Sequence, residues 1–175
     1  MAPEHATPAE AAAHLARNAV DCLPDGGLER KLAEAERAGR PLRVKLGIDP
    51  TAPDIHLGFT VVLGKLREFQ DLGHTVVLIV GDYTARVGDP SGRSATRPVL
   101  SGEQIDANAA TFQEQALKVL DAERLEVRRN GEWLDMAMDD LFRLTRTATV
   151  AQLLERDDFA KRYGSGRPIT ILEML

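Results

Sequence analysis

The sequence contains 175 residues, of which 43% are hydrophobic and 28% are charged. This length predicts one domain with a substantial hydrophobic core rather than a large multidomain enzyme. The composition excludes disordered, collagen-like and disulfide-stabilised proteins. Lysine and arginine number 22 against 27 aspartates and glutamates, giving a net charge of −5. Proteins that bind nucleic acid mainly through phosphate charge are basic, so we expect any RNA contact to be local or to lie outside this chain.

The cellular compartment is predicted from the single cysteine and from the apolar runs. Cys22 has no partner for an internal disulfide, and we expect an ordinary thiol in a reducing compartment. No apolar run approaches the roughly 20 residues that cross a bilayer. The alanine-rich start also lacks the basic and apolar regions of a secretory signal. These features predict a cytoplasmic protein without a membrane segment.

Two helices are predicted before the main domain. Residues 8–22 and 28–39 are charged and alanine-rich, and a Pro-Asp-Gly-Gly turn separates them. They form a helical lead-in over residues 1–40, and residues 41–175 form the main domain. Within it, residues 42–48 alternate apolar and polar side chains, which predicts a strand with one face on a core.

A strand, a helix and a strand are predicted in succession. Residues 56–72 carry apolar side chains at helical spacing, and the following Gly73 suits a left-handed C-cap. Residues 75–80 are aliphatic or β-branched throughout, as in a parallel strand that is buried on both faces. The pattern predicts a right-handed βαβ unit and an α/β fold with a parallel sheet. The helix side chains predicted to face inward are Phe59, Val62, Leu63, Leu66 and Phe69.

Residues 81–98 are polar and glycine-containing, and they are predicted to form a long loop. Ligands of open α/β sheets bind at the carboxyl ends of strands, so this loop and the turn at residues 49–55 mark the predicted ligand site. After the loop, Ser101 and Gln104 form a capping box that opens a helix. The inward side chains of this helix are predicted to be Ile105, Ala109, Phe112, Ala116 and Leu120.

The last third of the chain is predicted to contain one strand and several short helices. The strand is predicted at residues 125–129, and the helices lie within residues 133–175. One of these helices opens at Thr149, with Gln152 three residues later.

The turn after the first strand carries the most informative run of residues. A histidine such as His56, at a helix N-terminus, can donate to a phosphoryl oxygen, and Gly58 allows a flat base to approach the backbone. Asp49 offers an acceptor for an ammonium group, and Thr51 offers a hydroxyl donor. For a lone histidine and glycine, the simpler interpretation is a helix capped by Asp54 with a surface histidine and an incidental Gly58, whereas the full run of thirteen residues favours a functional site. The run is Gly47-Ile48-Asp49-Pro50-Thr51-Ala52-Pro53-Asp54-Ile55-His56-Leu57-Gly58-Phe59.

This run resembles the His-Ile-Gly-His signature of class I aminoacyl-tRNA synthetases, and in particular that of tyrosyl-tRNA synthetases. Shorter similarities occur at residues 96–98 and 153–159, so the resemblance covers about residues 42–175. It implies an α/β fold with a Rossmann-like doubly wound parallel sheet. The chain would then be an incomplete class I synthetase catalytic domain. A second segment resembles the substrate strand and loop of the family: Val80-Gly81-Asp82-Tyr83-Thr84-Ala85-Arg86-Val87-Gly88-Asp89-Pro90-Ser91-Gly92-Arg93.

The resemblance implies roles for residues of the turn. By position, His56 and Thr51 bind the ATP phosphates, while Gly58 packs under the adenine. Asp49 faces tyrosine and the nucleotide, and Gly47 belongs to the same nucleotide-binding stretch.

Further roles fall on the predicted loop. The resemblance implies that Asp89 receives the α-amino group of tyrosine, whereas Arg93 and Arg97 belong to a mobile segment that closes on pyrophosphate. Guanidinium groups suit phosphate geometry. A solvated basic loop in which Asp89 caps a turn is the simpler alternative.

The implied reaction is the ATP-dependent adenylation of tyrosine, followed by transfer of tyrosine to tRNA-Tyr. It needs no protein nucleophile, and Mg²⁺ is expected on the ATP phosphates rather than in a dedicated protein site. The resemblance also implies a homodimer through residues 125–175. An apolar face on four leucines would suit such an interface, although core packing explains them at least as well: Leu141, Leu144, Leu153 and Leu154.

Some features of the sequence depart from the family pattern. Phe59 replaces the second histidine of the signature, and Lys45 lies where better-known bacterial members have a tyrosine. No Lys-Met-Ser-Lys-Ser run occurs before Leu175, and the anticodon-binding domain of the family lies beyond that point. We therefore expect a truncated form with weak or no activity alone. The alternatives are a non-catalytic nucleotide-binding remnant and a stand-alone small-molecule adenylyltransferase.

Overall fold

The computed structural model describes residues 6–87 and 100–174. In these ranges, the strands β1 (Arg43–Ile48), β2 (Thr75–Val80) and β3 (Leu125–Arg129) form one sheet in the order β1-β2-β3. The helices in the same ranges are α1 (Pro8–Ala16), α2 (Gly27–Arg37), α3 (Phe59–Asp71), α4 (Asp82–Val87), α5 (Gly102–Ala116), α6 (Gly131–Leu134), α7 (Met138–Thr145), α8 (Val150–Leu154) and α9 (Asp157–Gly164), with short 3-10 helices at Ala122–Arg124 and Ile171–Met174.

All strand pairs in the sheet are parallel, so the predicted parallel α/β arrangement is confirmed. β2 and β3 have the predicted bounds, and β1 begins one residue later than predicted. The register pairs Ile48 with Val80 and Val80 with Arg129. The carboxyl ends of the three strands therefore lie at one edge of the sheet, where α/β folds bind ligands.

The main hydrophobic core lies between the sheet and the helices α3 and α5. Val76 and Leu78 of β2 are 0% and 1% exposed, as expected for a strand covered on both faces. The capping box of α5 is confirmed, because Ser101 and Gln104 exchange both of its hydrogen bonds. The five inward side chains predicted for this region are all buried: Ile105, Ala109, Phe112, Ala116 and Leu120.

Two details predicted for α3 are wrong. The helix begins at Phe59 rather than at His56, because the Phe59 N–H donates to the His56 carbonyl oxygen at 2.9 Å in a tight turn before the helix. Val62 is 41% exposed. The buried face of α3 is centred on Leu63 and Leu66, so Val62 lies at its margin. Gly73 adopts the predicted left-handed conformation, with φ at 89°.

The predicted loop over residues 81–98 is wrong in its first part, because Asp82–Val87 forms α4. The Asp82 carboxylate accepts a hydrogen bond at 3.0 Å from the N–H of Tyr83, in the first turn of this helix. It also accepts from the Gly131 N–H at 3.0 Å. This contact links residues that are distant in the sequence, so local composition could not indicate it.

The N-terminal helices pack on the end of α3. The helix α1 ends at Ala16 rather than at residue 22, and Asn18 beyond it has a left-handed φ of 65°. The start of α1 is fixed by a capping box between Thr7 and Glu10. A second, smaller hydrophobic cluster joins α1 and α2 to the end of α3 and the start of β1: Ala11, Leu15, Leu32, Leu42, Phe69 and Leu72.

The C-terminal helices α7, α8 and α9 are mostly exposed. Leu144 is 45% exposed, whereas Leu141, Leu153 and Leu154 are half-buried. The proposed dimer face therefore remains a prediction. The capping box that opens α8 at Thr149 is confirmed. Within residues 6–87 and 100–174, the helices are too short or too polar to cross a membrane.

His74 links the end of α3 to the start of the sheet. Its Nδ1 accepts a hydrogen bond from the Leu42 N–H at 3.3 Å. Burial, together with the positive charge of Arg124, lowers the pKa of His74 below its ordinary value of 6.5. The folded chain therefore favours the neutral imidazole, which is the form that accepts this hydrogen bond.

This shift predicts a pH dependence of the free energy of unfolding. The unfolded chain binds the proton more readily than the folded chain, so stability falls as the pH drops below the unfolded pKa of about 6.5. The slope from this one group is at most about 1.4 kcal/mol per pH unit. The variant His74→Asn offers the Leu42 N–H an amide acceptor but does not titrate, so it should lose this part of the pH dependence. Urea unfolding across the acidic range measures it, and an unchanged slope in the variant would contradict the assignment.

Candidate active site

The site is built on the residues that directly follow the three strands. Asp49 follows β1, Gly81 follows β2 and Asn130 follows β3. The Gly81 N–H donates to the Ile48 carbonyl oxygen at 2.9 Å, and the Asn130 N–H donates to the Val80 carbonyl oxygen at 3.0 Å. These bonds extend the parallel ladder past the strand ends and hold the three positions side by side.

The Thr84 hydroxyl connects these strand ends. It donates to Asp49 Oδ1 at 2.7 Å and accepts from Asn130 Nδ2 at 2.9 Å. Asn130 is 7% exposed, and its Oδ1 accepts from the Tyr83 N–H at 2.8 Å. Both ends of this buried amide are hydrogen-bonded, as a buried polar group requires.

Asp82 forms the second part of this polar cluster. Its side chain is buried, with two backbone N–H donors already described and Arg129 Nη1 at 3.9 Å from Oδ2. Asp82, Thr84 and Asn130 were not singled out from the sequence. The signal that could have found them is their position, because each comes within a few residues of the carboxyl end of a strand of the parallel sheet.

Gly81 is required by close packing rather than by its backbone angles. A Cβ at this position would lie 1.9 Å from Asp49 Oδ1 and 2.6 Å from Thr84 Oγ1. Any side chain would therefore push the Asp49 carboxylate away from the Thr84 hydroxyl. This packing joins residues from two separate parts of the chain, so the local sequence around Gly81 does not indicate it.

The turn between β1 and α3, residues 49–58, carries the predicted nucleotide-binding side chains. Asp49 and Thr51 are half-buried, and the Thr51 N–H donates to the Asp49 carbonyl oxygen at 2.8 Å. Gly47 precedes the turn on β1, where a Cβ would meet no atom within 4 Å. Asp54 does not cap α3; its carboxylate accepts from a side chain of α5 instead.

His56 is exposed near the end of this turn. Its Nδ1 accepts a hydrogen bond from the Gly58 N–H at 3.1 Å, so the neutral ring carries its proton on Nε2. A Cβ on Gly58 would lie 2.9 Å from both Nδ1 and Cε1 of this ring. The ring of Phe59 lies beside it, with centroids 4.7 Å apart. The Nε2–H is therefore a donor on an exposed side chain of the turn that follows β1.

The structure brings together one part of the predicted site. Asp49, Thr51, His56 and Gly58 lie on the same turn at the carboxyl edge of the sheet, and Gly47 lies in β1 just before it. Their roles toward a ligand remain predictions. The other predicted residues lie outside the described residues: Asp89, Arg93 and Arg97.

Comparisons with known proteins show the family to which the chain is similar. A family model described as tRNA synthetases class I (W and Y) matches residues 36–175. The tyrosine–tRNA ligase of Thermotoga maritima is 58% identical over 170 residues, covering 97% of this chain and 41% of the relative. That of Burkholderia mallei is 53% identical over 160 residues, covering 91% of this chain and 39% of the relative. The chain thus spans about two-fifths of the length of these curated relatives.

Solved structures have the same fold. A C-terminally truncated mitochondrial tyrosyl-tRNA synthetase from Aspergillus nidulans matches with a TM-score of 0.62 and 25% identity, over 75% of this chain and 41% of that one. The corresponding protein from Coccidioides posadasii gives a TM-score of 0.70 at 21% identity, over 97% of this chain and 48% of that one. The second match is evidence for the fold alone.

The contact between Gly81 and Asp49 predicts the effect of one added methyl group. Gly81→Ala should lower the free energy of unfolding by about 1–3 kcal/mol, because the methyl group and the Asp49 carboxylate cannot occupy the same space. Gly64→Ala is the matched control, because a Cβ on this α3 glycine meets no atom within 4 Å. The control should leave stability unchanged or raise it by up to about 1 kcal/mol. Equal urea midpoints for Gly81→Ala and the wild type would contradict the close contact.

Proposed function

The chain belongs to the class I tRNA synthetase family of the W and Y type, and we propose that it provides the ATP- and tyrosine-binding portion of a tyrosine–tRNA ligase. The observation that carries the proposal is the high identity to curated tyrosine–tRNA ligases, 58% for the first of those described above. The position of His56 and Thr51 at the carboxyl edge of the sheet supports it. The family also argues against a stand-alone small-molecule adenylyltransferase.

ATP would lie across the turn at residues 49–58. The Nε2–H of the exposed His56 and the hydroxyl of Thr51 would donate to phosphate oxygens, which gain charge as pyrophosphate leaves. Gly58 would admit the adenine, while the absence of its Cβ also leaves room for the His56 ring. Gly47 would lie along the nucleotide at the end of β1.

Tyrosine would bind beside the nucleotide. The free lone pairs of Asp49 would accept from a substrate ammonium or hydroxyl, and the Thr84 hydroxyl would hold the carboxylate in place. Asp89 would receive the α-amino group, and Arg93 and Arg97 would bind the leaving pyrophosphate. The tyrosine carboxylate would attack the α-phosphate of ATP, and pyrophosphate would leave. Because this reaction needs no protein nucleophile, the chain would act by positioning and by charge stabilisation.

Mg²⁺ would come with ATP and supply positive charge at the phosphates, since this ion keeps several waters and binds mainly through substrate phosphates. The side-chain oxygens of Asp49 and Thr51 lie near the proposed nucleotide. Oxygen is the ligand atom that Mg²⁺ prefers, so these groups suit the hydration shell of the ion.

Tyrosine would then be transferred to tRNA-Tyr. The main domain would be residues 41–175, and residues 1–40 would be a lead-in that packs on its α3 helix.

The assembly and the compartment are part of the same proposal. We place the protein in the cytoplasm, where the exposed thiol of Cys22 would stay reduced. A homodimer would form through residues 125–175, where Leu144 and Phe142 of α7 are 45% and 58% exposed.

A second function, nucleotide binding without catalysis, is favoured by one observation. The Phe59 ring lies against His56, where the family signature has a polar side chain, so it can pack against the imidazole but cannot donate a hydrogen bond. In addition, a polypeptide of these 175 residues contains no Lys-Met-Ser-Lys-Ser run. We therefore expect tyrosine-dependent ATP–pyrophosphate exchange by this polypeptide to be weak or undetectable.

Calorimetric titration with ATP and Mg²⁺ tests the nucleotide site separately from catalysis. The wild type should bind ATP, and His56→Ala should weaken binding by about tenfold, because a hydrogen bond to a charged phosphate is lost. Leu57→Ala is the matched control, since Leu57 is the neighbouring side chain and is 85% exposed. No binding by the wild type, or equal binding by wild type and His56→Ala, would refute the proposed role of the turn.

A further inference from the structure

The turn at residues 49–58 is attached to α5 by two side-chain amides. Asn108 Nδ2 donates to the Pro50 carbonyl oxygen at 3.0 Å. Gln115 Oε1 accepts from the Ile55 N–H at 2.8 Å, while Gln115 Nε2 donates to Asp54 Oδ1 at 2.6 Å. Asn108 and Gln115 are both half-buried, and three hydrogen bonds between these two amides and one turn form a specific attachment.

The geometry of α5 makes this attachment rigid. Asn108 and Gln115 are seven residues apart, about two helical turns, so they lie on the same face of the helix. The adjoining face is fixed in the core, with Ala109, Phe112 and Ala116 only 3%, 5% and 0% exposed. The amides therefore hold the turn at a fixed position relative to the hydrophobic core.

The attached backbone groups are placed directly before the two residues that would bind phosphate. Pro50 precedes Thr51, and Ile55 precedes His56. A fixed carbonyl at Pro50 and a fixed N–H at Ile55 limit the backbone conformations of the next residues, Thr51 and His56. The ring of His56 depends further on a short local contact, because its Nδ1 accepts from Gly58.

We propose that Asn108 and Gln115 are positioning residues for nucleotide binding, which hold Thr51 and His56 in the geometry that receives the ATP phosphates. This inference rests on the proposed function of the turn. A turn that is held in the competent conformation binds with its full intrinsic affinity, whereas a turn that visits this conformation only part of the time binds more weakly in proportion.

The first test is ATP affinity by calorimetry in Gln115→Leu. This variant keeps the size of the side chain but removes both hydrogen-bonding groups, and it should bind ATP about 5- to 30-fold more weakly than the wild type. Gln113→Leu is the matched control, because Gln113 is exposed on the same helix. The control should bind as the wild type does. Wild-type affinity in Gln115→Leu would overturn the proposal.

A charge exchange tests the contact with Asp54 directly. In Gln115→Glu the new carboxylate still accepts from the Ile55 N–H, but it repels the Asp54 carboxylate, so ATP binding should weaken. Adding Asp54→Asn supplies an amide donor in place of that carboxylate, and affinity should return to within about twofold of the wild type. Failure of the double variant to recover, with both proteins folded by circular dichroism, would also overturn the proposal.

The imidazole of His56 gives a readout that does not depend on ATP. At mildly alkaline pH, long-range ¹H–¹⁵N NMR should detect the Nε2–H tautomer in the wild type and in Gln113→Leu, and a mixture of tautomers in Gln115→Leu. An unchanged tautomer in Gln115→Leu would overturn the positioning role. If the wild type does not bind ATP, the proposed function fails, while this spectrum still decides whether Gln115 positions His56.

Discussion

The Thr84 hydroxyl joins the carboxyl ends of the outer two strands of the sheet. It donates to Asp49, directly after β1, and accepts from Asn130, directly after β3. The strand register brings these residues to one edge, but backbone pairing alone does not fix their side chains. Polar groups that are shielded from water are costly to leave without hydrogen-bond partners, so the half-buried Asp49 and Thr84 and the buried Asn130 strongly favour one arrangement.

The rest of the site is arranged around that fixed edge. Gly81 has no side chain where the Asp49 carboxylate lies, and Gly58 has none where the His56 ring lies. The turn at residues 49–58 begins at this edge and leads into α3, and side chains of α5 are hydrogen-bonded to it. The proposed nucleotide site requires hydrogen-bond donors at fixed positions, and a turn held on rigid elements places such donors more precisely than a free loop would.

The strands and the core could be predicted from the sequence because they depend on local patterns. The β-branched run at residues 75–80 and the spacing that buries Phe112 are visible without any partner. The helix α4 and the role of Thr84 could not be predicted in this way, since they depend on contacts with Asn130 and its neighbours across the sheet. His56 was predicted at the start of α3, but a local contact with its carbonyl oxygen delays the helix until Phe59, so His56 lies on the preceding turn.

A double-mutant cycle between Thr84→Val and Asn130→Ala measures the central hydrogen bond most directly. Urea unfolding of the wild type, both single variants and the double variant gives the coupling free energy between the two side chains. A direct hydrogen bond between two side chains of one polar cluster predicts a coupling of about 0.5–3 kcal/mol. Additive effects, with a coupling within about 0.3 kcal/mol of zero, would contradict the account.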